Sequence, residues 1–402
     1  MSSLSNGERA AVDVARSQPM LDQVLAWSAI NSGTRNLAGV TAMADRLADA
    51  FAVLPGDVAL DPPAPVTAVL ADGSLTEIDH GAHLVVTVRA DAPRQLLLTG
   101  HMDTVFPVDH PFQGTRWLDD RTLNGPGVAD MKGGIAVMLA ALGAIEASPV
   151  AAQIGYQVMI NSDEETGSLS SAPLIERLAR GKAAALTYEP ALPDGTLAGA
   201  RGGTGNFSII FRGKSAHAGR NPEDGRNALV AAADVAVRLS RGRTTGLSVN
   251  PARIEGGGPN NVVPDLAVLR VNFRPAGPDD ITRAQALLDV TVATVAAEHD
   301  VSISVEGRFN RPPKPLDAGA EKLFALVKQA GADLGLEIGW RATGGVCDGN
   351  NIAACGVPVV DTMGARGGAI HSADEFLLVD SLAERAALSA LTILRLAERG
   401  HQ

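Results

Sequence analysis

Residues 96–107 read LLLTGHMDTVFP and join a run of leucines to a histidine and an aspartate. The apolar run predicts a buried strand that stops at Gly100. His101 and Asp103 follow it, and residues two apart in an extended chain point to the same side. The stretch therefore predicts a core strand that delivers an imidazole and a carboxylate side by side at its end.

Strands and helices alternate on both sides of this stretch. Further strands are predicted at HLVVTVRA (83–90), IGYQVMINS (154–162) and AAALTYEP (183–190). Helices are predicted in six segments: 8–30, 38–53, 133–147, 171–181, 319–335 and 380–399. This alternation predicts an α/β domain with a largely parallel sheet that is covered on both faces.

The pattern of predicted strands and helices changes between residues 201 and 312. Strands with polar alternation, such as GTGNFSIIFRG, appear there together with helices near 227–240 and 279–299. They predict an inserted α+β two-layer sandwich with helices on one face of an antiparallel sheet. The Pro-rich RPPKP at 311–315 is predicted to end the inserted domain. The predicted domains are a discontinuous one, 1–200 and 313–402, and an inserted one, 201–312.

The composition bounds the class of protein. The chain has 402 residues, of which 46% are hydrophobic and 20% charged, as in a globular protein of about two domains. A net charge of −11 and an aromatic content of 3% argue against a nucleic-acid partner. No signal peptide and no transmembrane helix are predicted, and two cysteines fit a reducing compartment, so the cytoplasm is the expected location.

Several polar side chains fall where strands of the first domain are predicted to end. Each alone is more often structural: a lone histidine near the surface, an aspartate capping a helix, or carboxylates in a solvated turn. Together they supply the imidazole and carboxylate donors that a pair of zinc-like ions requires, with one bridging carboxylate. They are His101, Asp103, Asp130, Glu164, Glu165, Glu189 and His371.

These motifs, in this order, resemble the zinc aminoacylase and carboxypeptidase family. That family includes acetylornithine deacetylase, succinyl-diaminopimelate desuccinylase and the folate-cleaving glutamate carboxypeptidase. The matching motifs span about residues 96–375 and are LTGHMDTVFP, NGPGVADMKGG, NSDEETGS, YEP, GKSAHAG, NNVVP, GGVCDGN and GGAIHSADE. The resemblance implies a zinc-dependent hydrolase whose inserted domain is a lid and dimerisation domain.

The resemblance also implies a role for each residue of the cluster. One zinc would be held by His101, Asp130 and Glu189, and the other by Asp130, Glu165 and His371, with Asp130 bridging. Asp103 would orient His101, and Glu164 would be the general base. The peptide bond between Asp130 and Met131 is expected to be cis. Co²⁺ or Mn²⁺ would suit the same donors.

Residues of the inserted domain match positions that bind substrate in the family. His217 of GKSAHAG would reach the active site of a partner subunit and stabilise the oxyanion, which implies a homodimer. Asn261 and Arg274 would hold the substrate carboxylate. Arg311 is a further candidate for that role, although the spacing in GRFNRPP leaves Arg308 open. Neither a nucleic acid nor a membrane is expected as a partner.

The implied activity is hydrolysis of an amide bond in an N-acyl amino acid or small peptide with a free C-terminal carboxylate. Glu189, where some relatives carry Asp, favours the carboxypeptidase and desuccinylase side over other deacylases. An allantoate-type amidohydrolase that uses manganese and a non-catalytic dimeric family member remain alternatives. A cysteine hydrolase is disfavoured, since Cys347 occupies a position where many relatives have Ser or Thr.

Overall fold

The computed structural model describes residues 4–399, and helices form much of that range. They are α1 (Asn6–Arg16), α2 (Met20–Ser28), α3 (Leu37–Phe51), α4 (Gly134–Glu146), α5 (Ala172–Ala179), α6 (Ala228–Arg241), α7 (Pro278–His299), α8 (Ala318–Asp333), α9 (Asp348–Ala354) and α10 (Asp380–Arg399). The single helix predicted over 8–30 is in fact two, α1 and α2. Pro19 is the N-cap of α2, and since proline has no amide hydrogen, a continuous helix is interrupted there.

The strands are mostly short. They are β1 (Asp57–Asp61), β2 (Val66–Val69), β3 (Leu75–Ile78), β4 (His83–Val88), β5 (Gln95–His101), β6 (Arg116–Trp117), β7 (Thr122–Asn124), β8 (Gly155–Asn161), β9 (Ala184–Thr187), β10 (Leu197–Arg201), β11 (Thr204–Arg212), β12 (Leu247–Gly256), β13 (Leu266–Pro275), β14 (Ser302–Arg311), β15 (Trp340–Thr343), β16 (Val359–Val360), β17 (Gly367–Gly368) and β18 (Phe376–Leu378).

A six-stranded mixed sheet forms the centre of the first domain, in the order β1-β4-β8-β5-β9-β16. β8, β5, β9 and β16 run parallel to one another, whereas β4 is antiparallel to both β1 and β8. The prediction of a largely parallel sheet is therefore confirmed, with the β1–β4 edge as the antiparallel exception. β5 is buried from Leu96 to His101, as expected for a strand covered on both faces.

Alternate residues of β5 enter two different cores. Leu96 and Leu98 belong to the larger core, which includes residues of α1, α4 and α10, whereas Leu97 belongs to a smaller core with α5 and α9. By length and composition alone the segment Val128–Glu146 is long and apolar enough to span a membrane, but 94% of its apolar window is buried inside the protein. This segment is the central core helix α4 and the loop before it.

A separate antiparallel sheet, in the order β12-β13-β11-β14, forms the inserted domain. Helices α6 and α7 cover one face, where Phe207 and Leu288 share a core. On the other face Ile210 packs with Val69 of the β2–β3 hairpin. The predicted α+β insert is confirmed, while its boundaries at 201 and 312 stay predictions.

The two segments that connect the domains run side by side. Arg201 and Lys314 exchange backbone hydrogen bonds of 2.9 Å in both directions. Their side chains meet at the buried Asp361, which follows β16. Arg201 donates to both carboxylate oxygens at 2.8 and 3.0 Å, and Nζ of Lys314 lies 3.1 Å from Oδ2. The exit and return points of the inserted domain are thereby fixed to each other and to the central sheet.

Candidate metal centre and active site

The carboxyl ends of the parallel strands bring the predicted donors together. β5 ends at His101, β8 is followed by the turn that carries Glu164 and Glu165, and β9 is followed by Glu189. Parallel strands end at the same edge of a sheet, which is where ligand sites form in open α/β folds. Residues that are distant in sequence therefore meet at one edge.

Asp130 lies between the two histidines of the cluster. Its Oδ1 is 3.1 Å from Nε2 of His101, and its Oδ2 is 3.3 Å from Nε2 of His371. His101 Nε2 also lies 3.9 Å from Oε2 of Glu189, and His371 Nε2 lies 3.2 Å from Oε2 of Glu165. The five side chains thus form two half-sites that share one carboxylate, which is the arrangement expected for the two implied ligand sets.

Carboxylates outnumber imidazoles in this cluster, and burial and charged neighbours shift the pKa values of both. Burial raises the pKa of Glu164 well above its usual range, and burial together with repulsion from Asp130 raises the pKa of Glu165 to about 7. Hydrogen bonds to Asp130 and Glu165 raise the pKa of His371 to about 10. Burial disfavours the charged form of His101 too, yet its carboxylate neighbours outweigh burial and raise its pKa. Imidazoles among excess carboxylates fit divalent cations of the zinc type.

Asp103 organises the turn beneath the cluster. Its carboxylate accepts hydrogen bonds from Thr34 Oγ1 at 2.7 Å and from the backbone N–H groups of Glu164 and Glu165, both at 3.2 Å. His101 Nδ1 lies 3.0 Å from the backbone carbonyl oxygen of Asp103 and 3.5 Å from its carboxylate. Asp103 is therefore placed to fix both the imidazole and the turn that presents the two glutamates.

Glu375 is a site residue that the sequence reasoning missed. Its buried carboxylate accepts hydrogen bonds of 3.0–3.1 Å from the backbone N–H groups of Gly127, Ala129 and Asp130. These contacts fix the loop that presents Asp130, and the peptide bond from Asp130 to Met131 is cis, as expected. A signal was available, because Glu375 closes the GGAIHSADE motif four residues after His371.

Arg311 lies at the cluster but is already paired within the protein. Its Nη2 donates to Oε1 of Glu164 at 2.7 Å, and its Nη1 donates to Oδ1 of Asp348 at 2.9 Å. This differs from the expected contact with a substrate carboxylate, because both arms of the guanidinium are engaged. Arg308, the alternative, is exposed and lines a different cleft beside Glu176.

A cavity of about 820 Å³ opens above the cluster and is lined by both domains. Arg274 and Arg341 line it, and among residues 4–399 neither forms an ion pair with a carboxylate. His217 and Asn261 are exposed and lie outside this cavity, next to each other, since the N–H of Ala218 donates to the carbonyl of Asn261 at 2.9 Å. The structure therefore brings Arg274, but neither His217 nor Asn261, to the cluster of the same chain.

Cys347 lies at the wall of the cavity with its side chain buried. Burial raises the pKa of its thiol well above the usual range. A nucleophilic cysteine needs a lowered pKa, because the thiolate is the reactive form. The environment of Cys347 is that of a structural loop residue.

Comparison with known proteins identifies the relatives of this chain. The model of Peptidase family M20/M25/M40 matches residues 97–395. Carboxypeptidase G2 of Pseudomonas sp. (strain RS-16) is 31% identical over 325 residues, which cover 79% of this chain and 77% of that protein. Succinyl-diaminopimelate desuccinylase of Verminephrobacter eiseniae (strain EF01-2) is 27% identical over 72% of this chain and 76% of that protein. The crystal structure of a tripeptidase from Staphylococcus aureus subsp. aureus mu50 superposes with a TM-score of 0.71 and 26% identity, covering 94% of this chain and 98% of that one.

Proposed function

Because the chain belongs to Peptidase family M20/M25/M40, and is thus a metallohydrolase of peptides or N-acyl amino acids, we propose that it cleaves an amide next to a free carboxylate. The substrate would be an N-acyl amino acid or a short peptide with a free C-terminus, as the name of the related carboxypeptidase G2 suggests. The observation that carries the proposal is the cavity, which has carboxylate and imidazole donors at its floor and unpaired guanidinium groups on its walls.

Two guanidinium groups support the requirement for a carboxylate on the substrate. Arg274 donates its Nε to Oδ1 of Asn272 at 2.9 Å, which orients the guanidinium without neutralising it. Arg341 lies on β15, which pairs with β10 in the first domain, whereas Arg274 lies on β13 of the inserted domain. Arg341 has no carboxylate partner among the described residues. A guanidinium recognises a carboxylate by paired hydrogen bonds, so a free carboxylate complements this cavity.

The donors at the floor of the cavity would hold two divalent cations. One cation would be held by His101, Asp130 and Glu189, and the other by Asp130, Glu165 and His371. Donor atoms of His101, Asp130 and Glu165, which are drawn from both sets, lie within 4.8 Å of one another. Zinc suits imidazole and carboxylate donors, and Co²⁺ or Mn²⁺ accepts the same set. When bound, such ions supply Lewis-acid activation of water and of the amide carbonyl.

Glu164 is the residue that we assign to proton transfer. Burial keeps its pKa high, so the carboxylate can accept a proton from a water molecule and hold it. It would then return that proton to the nitrogen of the departing amine. Glu165, its neighbour, contacts His371 and is assigned to metal binding instead.

His217 and Asn261 would act on a second copy of the chain. Both lie on the inserted domain, at the isolated bridge that pairs His217 with Val262, and away from the cavity of their own chain. A homodimer through the inserted domain would bring them to the partner's cavity, where the imidazole would stabilise the oxyanion of the tetrahedral intermediate.

The test is a hydrolysis screen of N-acyl amino acids and dipeptides, each with its C-terminal amide as a control, with and without added zinc. We expect the free acids to be cleaved and the amides to be poor substrates. The Glu164→Ala variant should lose roughly 10²–10⁴-fold in kcat, the range of a general base, and should still bind zinc. Equal turnover of acids and amides would refute the carboxylate requirement, and full activity of Glu164→Ala would refute the assigned base.

A further inference from the structure

Arg311 is the last residue of β14, and its side chain crosses from the inserted domain into the active site. The residue is only 2% exposed. Besides Oε1 of Glu164, its Nη2 donates to the carbonyl oxygen of Glu164 at 3.1 Å and to Oγ of Ser168 at 2.9 Å. The guanidinium therefore binds Glu164 through both its side chain and its backbone.

The other terminal nitrogen of the Arg311 guanidinium, Nη1, is also paired with a carboxylate. Nη1 donates to Oδ1 of Asp348, which is itself 2% exposed. Asp348 also accepts from Nδ2 of Asn161 at 2.8 Å, and Oγ of Ser168 donates to it at 2.5 Å. Since Asp348 is anchored by α9 and by the end of β8, the position of the guanidinium is set by the first domain as well as by β14.

The Glu164 carboxylate is fixed at one oxygen by this contact. Among the hydrogen bonds of residues 4–399, none engages its second oxygen, Oε2. A donor atom of Glu164 lies within 4.8 Å of one on His101 and one on Glu189. A charge-assisted hydrogen bond to one oxygen restricts rotation of the carboxylate about its side chain while it stands among these donors.

We propose that Arg311 is a positioning residue for the Glu164 carboxylate and that the inserted domain, through β14, thereby sets the geometry of the general base. This rests on the proposed function only in that Glu164 is taken as the base. A substrate-binding role for Arg311 would instead draw its guanidinium away from the buried Asp348 and from Glu164, whose side chain is 11% exposed, and this is costly because unpaired buried charges are unfavourable.

The kinetic test compares Arg311→Met and Arg311→Lys with Arg308→Met, a matched control on the same strand whose side chain is exposed. With an N-acyl-glutamate as substrate, Arg311→Met should lower kcat about 10²-fold, the scale of a misplaced catalytic group, and change KM by less than about threefold. Arg311→Lys should restore part of kcat. In the Glu164→Gln background, Arg311→Met should add no further loss. A raised KM with unchanged kcat, with the loss confined to the free acid and absent for its amide, would indicate that Arg311 binds the substrate carboxylate and would overturn the proposal.

A second readout needs no substrate, so it separates this proposal from the proposed function. A double-mutant cycle of Arg311→Met and Glu164→Gln is measured by urea unfolding of the zinc-loaded protein, with bound zinc determined for each variant. We expect a coupling of roughly tenfold in the unfolding equilibrium constant, and unchanged zinc stoichiometry. If the effects of the two substitutions on the free energy of unfolding are additive, the proposed pairing is wrong, whether or not any substrate in the screen is cleaved. If Arg311→Met does not fold, Arg311→Lys takes its place in the cycle.

Discussion

Replacing Asp361 with Asn tests how the two domains are joined. Asp361 is fully buried between Arg201 and Lys314, and these two cations outweigh burial and lower its pKa. Removing one partner of a buried ion pair leaves a charge uncompensated and costs about 3–5 kcal/mol. The amide oxygen of Asn still accepts one hydrogen bond, so we expect the free energy of unfolding to fall by about 3 kcal/mol, the lower end of that range.

The assay is urea unfolding followed in parallel by circular dichroism and tryptophan fluorescence, because coincident transitions justify a single free energy of unfolding. The matched control is Asp380→Asn, the same substitution in the ion pair with Arg121, whose side chains are 64% and 78% exposed. That variant should unfold at the wild-type midpoint, since exposed pairs contribute little. If the free energy of unfolding of Asp361→Asn lies within about 1 kcal/mol of the wild-type value, the buried ion pairs do not stabilise the connection between the domains.

Three further perturbations address the site and the core. The Glu375→Gln variant places an amide NH₂ group against the backbone N–H donors of the loop that carries Asp130. We expect it to weaken zinc binding about 10–100-fold in a chelator competition. The control Asp374→Asn, at the exposed neighbouring position, should leave zinc binding unchanged. Burial lowers the pKa of His83 below its ordinary 6.5, so the unfolded chain binds a proton that the folded protein resists, and stability should fall as pH drops below about 6.5. His83→Gln should flatten that part of the pH dependence of the urea midpoint, and an unchanged slope would contradict it. Removal of metal by a chelator should lower Tm, with about 2.7 kcal/mol regained at a free zinc concentration of 100 times Kd, and an unaltered Tm would argue against a structural contribution of the ions.

The sequence predicts the part of the site that depends on strand ends. His101 and Glu189 each come close behind an apolar run, and because β5 and β9 are parallel neighbours, both residues reach the same edge. Such convergence follows from the pattern of strands and helices alone. Asp130 and His371 join the cluster from loops, and it was the motifs around them that indicated their place.

Other features depend on distances that a linear pattern does not contain. An apolar run does not reveal strand direction, so the antiparallel pairing of β4 with β8 was not predicted. Arg311 and Glu164 are 147 residues apart, and only the packing of β14 against the turn after β8 makes them partners. His217 and Asn261 lie beyond the cavity of their own chain, so the role expected of them depends on a second copy of the chain.

The paired connection at Arg201 and Lys314 has a consequence for how this architecture is inherited and engineered. The chain leaves the first domain and returns to it through adjacent segments, which are joined at an isolated bridge by two backbone hydrogen bonds of 2.9 Å. A module whose two ends are neighbours can be excised or exchanged with only a short bridge, because the host sheet is not interrupted. Homologous inserts from other chains should therefore be transplantable at this point, provided that the graft carries an arginine at the end of its last strand.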